Sequence, residues 1–214
     1  MTDRFTINEL RNMIAAALAA VTEHSAELSG LDAATGDGDH GTAICQAMGA
    51  VNRSAMQGTE LKQALNDMGF AAMTESCGST STLIGALFLG MSDGVAGNEL
   101  SPAGVAAMFA AGLSNVRNQT KADIGGKTLM DALIPAVASL EENHSEGLVP
   151  MFGKAAEAAA DGADKTVAMV AKFGRARNLG ERVVGYADAG ATSMAYIFKA
   201  FASALEVKTG AKNG

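Results

Sequence analysis

Three aspartates, Asp32, Asp37 and Asp39, fall within the stretch Leu31-Asp32-Ala33-Ala34-Thr35-Gly36-Asp37-Gly38-Asp39-His40-Gly41. Carboxylate oxygens are hard ligands that suit Mg²⁺, a cation that keeps several waters and borrows further ligands from phosphate. The interleaved glycines let the backbone turn tightly enough for the three side chains to converge. Gly41-Thr42-Ala43 then opens a helical stretch, whose first N–H groups and dipole favour an anion. These are the parts of a nucleotide–Mg²⁺ site. They are also the parts of an ordinary turn, since Asp-Gly pairs form turns and Asp caps helices. An EF-hand is excluded, because Met48 stands where the closing Glu belongs if Asp37 is the first position.

Further polar loops follow downstream. Cys77-Gly78-Ser79-Thr80-Ser81-Thr82 joins two helical stretches and can offer hydroxyl and backbone N–H groups to phosphate oxygens, or simply cap a helix. Gly126-Lys127-Thr128 is not a P-loop: Lys121 stands where that pattern requires glycine, and no strand precedes it. Lys127 and Asp131 read more simply as helix-start residues, with the Gly125 backbone still able to approach a ligand. Arg175, Arg177 and Arg182 lie in a basic loop ahead of Asp188-Ala189-Gly190. Guanidinium groups neutralise phosphate well, although loop arginines are more often solvated or paired, here with Glu181. His24 and His144 read as surface helix residues. His40 lies inside the acidic loop, where it either contacts a phosphate or hydrogen-bonds the loop itself.

The elements that must position these loops are helical. The 214 residues are enough for one sizeable domain, 48% of them apolar, with no Trp and only three Pro, which permits long uninterrupted helices. Thr6-Ile7-Asn8-Glu9 is a capping-box pattern opening a helix that should run to Gly30. Further helices are predicted from about Gly41 to Met56, from Thr59 or Glu60 to near Cys77, and over Ser81–Met91. Ser101-Pro102, a cap followed by proline at the first helical position, starts one reaching about Gln119. The remainder are Lys127 to about Asn143 with a kink at Pro135, Pro150 to Phe173, and a last helix ending near Lys208 before a loose tail, Thr209–Gly214. Eight helices joined by short loops favour an antiparallel, single-domain bundle spanning residues 1–214.

Composition narrows the partners. A net charge of −7 with no basic run argues against nucleic acid. No stretch reaches the roughly 18 uncharged apolar residues of a membrane span, and the N-terminus lacks a signal core. Cys45 and Cys77 show neither disulfide-framework nor zinc spacing, which suits a reducing cytoplasm.

Together the loops resemble the nucleotide-binding L subunit, or L domain, of dihydroxyacetone kinases. The resemblance rests on the acidic loop, on Gly78-Ser79-Thr80 and on Gly126-Lys127-Thr128-Leu129-Met130-Asp131-Ala132-Leu133. Gly174-Arg175-Ala176, Leu179-Gly180-Glu181-Arg182 and Asp188-Ala189-Gly190-Ala191-Thr192 complete it, in the family's order along nearly the whole chain. It implies an all-α, up-and-down barrel of eight antiparallel helices with ADP or ATP held in the loops at one end. It also implies that Asp32, Asp37 and Asp39 hold two Mg²⁺ ions, and that His40, Gly41, Thr42, Ala43, Ser79, Thr80, Gly125, Arg182, Asp188, Ala189 and Gly190 line the nucleotide pocket. The ketose would be held by a separate K subunit through a hemiaminal to histidine, so this chain would be half an enzyme, Mg²⁺-dependent and phosphoryl-donating. The donor is either exchangeable ATP or retained ADP recharged by a phosphotransferase-system protein.

The sequence departs from the family pattern at four places. The second loop usually opens Gly-Gly and continues with small residues and glycine, and here Cys77 and Ser81 take two of those places; Ala189 replaces a proline, and Tyr186 stands where histidine is common. Loss of that proline leaves the last loop less pre-set in φ. A divergent branch acting on another short ketose, such as a tetrulose, would fit these changes. The alternatives are the nucleotide domain of a fatty-acid kinase, whose acidic loop typically carries Thr in place of His40, and a non-enzymatic nucleotide sensor docking on a regulator.

Overall fold

The structure, a computed structural model, describes residues 4–75 and 78–210, with the side chains of 207–210 excepted. Expectations for Cys77 and for residues 211–214 of the tail lie outside the described residues. Among those described there are nine α-helices. They are α1 (Ile7–Glu23), α2 (Ser25–Thr35), α3 (His40–Ala55), α4 (Leu61–Glu75), α5 (Ser79–Asp93), α6 (Pro102–Gln119), α7 (Met130–Asn143), α8 (Leu148–Lys165) and α9 (Ala189–Gly210). The only extended pairing among the described residues is an isolated antiparallel bridge between Phe5 and Leu100.

Helix starts follow local chemistry. Thr6 caps α1, its N–H donating to Glu9 Oε2 at 2.9 Å while its hydroxyl accepts from the Asn8 N–H. Ser101 caps α6 by accepting from the Gly104 N–H at 3.2 Å, with Pro102 at the first position. Eight of the helices form a closed ring: α1, α3, α4, α5, α6, α7, α8 and α9 pack side by side in that order, and α9 returns against α1. Consecutive helices alternate in direction, so the loops before α3, α5, α7 and α9 gather at one end. At the other end, the Arg11 side chain donates to the carbonyls of Ala55 and Gly58, and the Leu61 N–H donates to Asn98 Oδ1.

Small residues let the walls approach closely. A Cβ placed on Gly85 of α5 would lie 2.7 Å from the Gly69 carbonyl of α4, so neither helix tolerates a larger residue there without moving. The middle is apolar: Phe109 of α6 meets Phe152 of α8 and Phe198 of α9 at centroid distances of 5.6 and 5.9 Å. No helix among the described residues is long and apolar enough to cross a membrane.

Three element boundaries differ from the sequence expectation. The first helix does not run unbroken to Gly30 but turns at His24, whose ring stacks on Tyr196 of α9 at 4.0 Å. The resumed helix, α2, passes Gly30 and reaches Thr35, so Asp32 stands on a helix and only residues 36–39 form the acidic loop. The helix expected from Lys127 starts at Met130, because Lys127 has φ +57, outside the helical region. It then runs through Pro135 without interruption. The helix expected to reach Phe173 stops at Lys165 and passes through a 3-10 turn, Thr166–Ala168. Its following carbonyls are taken by distant groups: Thr166 by Lys127 Nζ, and Val167 by the Gly185 N–H.

Candidate functional site

The loops gathered at one end of the ring enclose an open cleft of about 330 Å³. The first residues of α3, α5, α7 and α9, namely His40, Ser79, Met130 and Ala189, all line it. An up-and-down ring places alternate helix N-termini at the same end, so their partial positive charges and first-turn N–H groups add there. That end of the barrel is built for an anion.

A cluster of negative charge sits beside it. One carboxylate oxygen from each of Asp32, Asp37 and Asp39 lies within 4.8 Å of the others, with Asp32 half-buried and the other two exposed. Asp32 is fixed: its Oδ2 accepts from the N–H groups of Asp39 at 2.9 Å and His40 at 3.3 Å, at the start of α3. Both intervening glycines are required. A Cβ on Gly36 would stand 2.5 Å from Asp32 Oδ1, and Gly38 has φ +80. Three clustered oxygen donors suit a hard divalent cation. Arg175 reaches over from the 3-10 segment Arg175–Val183 to pair with Asp37.

The floor of the cleft is buried and charged. Lys127 is 2% exposed, and its Nζ donates to the carbonyls of Thr166 and Tyr186, each at 2.6 Å. Burial lowers the pKa of this ammonium, against the pull of Asp188 and Asp131. Asp131 holds the preceding loop, its two oxygens accepting from the N–H groups of Gly125 at 2.6 Å and Thr128 at 2.8 Å. Asp188 caps α9 by accepting from the Ala191 N–H at 2.8 Å, and its own N–H donates to Thr166 Oγ1 at 2.9 Å. Burial pushes the Asp188 carboxyl up to about 7, with the Ala191 N–H opposing, Asp131 adding, Lys127 opposing and Asp32 adding. His40 is held between Ser193 Oγ, 2.9 Å from Nε2, and Thr80 Oγ1, 3.3 Å from Nδ1, and burial lowers its pKa despite Asp32.

Of the residues expected here, the cleft is lined by Asp32, Asp37, Asp39, His40, Ala43, Ser79, Thr80, Asp188, Ala189 and Gly190. Four others stand back from it. Gly41 packs against α2, where a Cβ would meet the Ser25 carbonyl at 2.0 Å, and Thr42 is exposed. Gly125 turns its N–H to Asp131, and Arg182 donates from Nε to the carbonyl of Leu179 at 3.2 Å. Arg175 and Lys127 line the cleft and were not among the expected site residues. Arg175 was legible as part of the basic loop. Lys127 was not, because its partners lie at residues 166 and 186, far along the chain.

Comparison with known proteins identifies a family and a shared fold. The DAK2 domain model matches residues 34–203. The chain is 36% identical to the L-erythrulose kinase of Pectobacterium atrosepticum, over 92% of its own length but only 35% of that protein's. It is 32% identical to the PEP-dependent dihydroxyacetone kinase 1, ADP-binding subunit DhaL, of Listeria innocua, over 84% of this chain and 87% of that one. A dihydroxyacetone kinase from C. freundii, solved with AMP-PNP and Mg²⁺, shares the fold with a TM-score of 0.70 at 24% identity, over 90% of this chain and 33% of that chain. The matched domain covers most of the chain, from the end of α2 into α9, leaving only α1 of the ring outside it, and the chain belongs to the DAK2-domain family.

Proposed function

We propose that the chain is the nucleotide-binding, phosphoryl-donating unit of a short-ketose kinase. One observation carries this reading: four helix N-termini converge on a cleft whose rim holds a trio of carboxylates. Helix starts and carboxylates want opposite charges, and a polyphosphate with a divalent cation satisfies both. The relatives' names support the same reading, one being an L-erythrulose kinase and another an ADP-binding subunit of a dihydroxyacetone kinase.

Asp32, Asp37 and Asp39 would hold Mg²⁺, as a pair of ions, and their donor set fits that cation. Bound there, Mg²⁺ would neutralise phosphate charge during transfer. The chain's own residues do the positioning. First-turn N–H groups of α3, α5 and α9 face the phosphates, Arg175 adds a guanidinium at the same rim, and Asp188 with Lys127 shapes the floor. Phosphoryl transfer asks mainly for such placement and charge compensation.

The acceptor is dihydroxyacetone or a tetrulose such as erythrulose, presented by a ketose-binding K unit over the open cleft. Because one relative is a PEP-dependent subunit, the donor cycle to test first is retained ADP recharged by a phosphotransferase-system protein. Extensive dialysis followed by nucleotide analysis separates the regimes. ADP remaining at one per chain supports the recharged form, and complete loss with ready ATP exchange supports the ATP-driven form. Absence of nucleotide together with failure to bind either ADP or ATP in the presence of Mg²⁺ contradicts the reading altogether.

A further inference from the structure

One imidazole joins three of the helix starts that build the cleft. His40 opens α3, Thr80 is the second residue of α5, and Ser193 lies on the first turns of α9. His40 Nε2 is 2.9 Å from Ser193 Oγ, and Nδ1 is 3.3 Å from Thr80 Oγ1. Ser193 has a further bond: its hydroxyl donates to the Gly190 carbonyl at 3.0 Å.

A hydroxyl carries a single proton. With that proton given to Gly190, Ser193 Oγ can only accept from the ring, so His40 Nε2 must bear hydrogen. In the neutral ring Nδ1 is then the acceptor, and the Thr80 hydroxyl is the donor that faces it. The hydrogen bonds run one way: Thr80 to His40, His40 to Ser193, Ser193 to Gly190. Ser193 is 2% exposed, so no competing solvent path offers it a second donor or acceptor.

We infer that Ser193 is a positioning residue for the nucleotide site, acting through His40 to fix the Nε2–H tautomer and to hold the starts of α3, α5 and α9 together. The consequence for recognition is specific. With its proton committed to His40, Thr80 offers the cleft a lone pair and not a donor. At that corner it suits a hydroxyl or a cation-bound water, while phosphate oxygens go to backbone N–H groups of the α5 start. The inference deepens the kinase reading and rests on it for affinity; the tautomer stands apart from it.

The test compares the wild-type chain with Ser193→Ala, which removes one oxygen from a buried position and adds no bulk. In nitrogen NMR of isotope-labelled histidine, taken in mildly alkaline buffer and assigned with His40→Gln, the wild-type His40 ring shows the Nε2–H form. Ser193→Ala shows mixed tautomers, and Ser193→Thr, which restores a hydroxyl, returns the Nε2–H signature. Titration with Mg·ADP should show Ser193→Ala weakened roughly tenfold, a loss near that of one buried hydrogen bond. Thr80→Val and Ser193→Ala, whose hydroxyls bond opposite nitrogens of His40, should be non-additive in that affinity because one ring connects them. An unchanged His40 signature in Ser193→Ala overturns the inference, and so does additivity of the two substitutions. A wild-type chain that binds no nucleotide but shows the Nε2–H form would count against the kinase reading and in favour of the relay. If Ser193→Ala fails to fold, the Thr80→Val chain carries the spectral comparison: loss of its donor must shift Nδ1, and an unmoved Nδ1 overturns the inference.

Discussion

Lys127 and Tyr186 are joined by a 2.6 Å hydrogen bond from a buried ammonium group to a main-chain carbonyl, and the same ammonium holds the carbonyl of Thr166. Three segments distant in sequence therefore meet at one nitrogen directly under the cleft. Lys127 also sits at φ +57, where a non-glycine residue costs about 1–2 kcal/mol.

These two effects oppose each other, and their sizes decide the outcome. A hydrogen bond to a charged group contributes about 1.5–3 kcal/mol, so the two carbonyl contacts outweigh the backbone strain. Lys127→Met should lower the free energy of unfolding in urea by about 2–4 kcal/mol. Lys127→Gly loses the same contacts but relieves the strain, and should recover only about 1 kcal/mol of that loss. A Lys127→Gly chain more stable than wild type would show that the ammonium contributes nothing.

Asp188 gives the fold a pH dependence of definite sign. Its carboxyl titrates near 3.8 when solvated and at about 7 in the folded chain, chiefly through burial. A folded-state pKa raised in this way favours the native state fully below 3.8. That contribution is lost as pH rises through about 7, where the buried group must ionise. Replacing it with Asn keeps an N-cap acceptor and removes the ionisation. Urea unfolding followed across this range should therefore show a flatter profile for Asp188→Asn than for wild type. Parallel profiles would mean that the carboxyl is not desolvated.

Tyr196 offers an optical check on the α2–α9 contact. Its hydroxyl donates to Glu27 Oε1 at 2.8 Å, and burial together with that carboxylate pushes its pKa up to about 12. The chain has two tyrosines and no tryptophan, so in a Tyr186→Phe background the ultraviolet titration reports Tyr196 alone. Its ionisation should come near 12, and Glu27→Gln should bring it down towards 10. No response to Glu27→Gln would place the two side chains apart.

Much of the barrel could be read from local chemistry because its signals are local. The Thr6–Glu9 capping box and the Ser101-Pro102 start are completed within one turn, and both stand as the sequence implies. The acidic cluster was legible for the same reason, since a short turn brings Asp37 and Asp39 back to Asp32 at the end of α2. What escaped was set by partners far along the chain. The break at His24 is fixed by a ring on α9, and neither glycine nor proline marks it. The early end of α8 goes with Lys127 and Gly185 claiming the carbonyls of Thr166 and Val167, just past it. Lys127 itself resembled a helix-start residue because nothing in Gly126-Lys127-Thr128 foretells a buried ammonium. Arg175 outranks Arg182 at the cleft only because the 3-10 segment that carries both presents Arg175 to Asp37.

In the proposed site Asp32, Asp37 and Asp39 clasp a divalent cation against a nucleotide bound among the helix starts. Calorimetric titration of the chain with ADP, in the presence and absence of Mg²⁺, tests this arrangement on wild type and on Asp37→Asn, an exposed position whose substitution should leave folding intact. Binding to wild type should be tight and require Mg²⁺, and the Mg²⁺-dependent affinity of Asp37→Asn should be at least about tenfold weaker, with an unchanged unfolding midpoint. Equal affinity in the two chains, or binding to wild type indifferent to Mg²⁺, would contradict this arrangement.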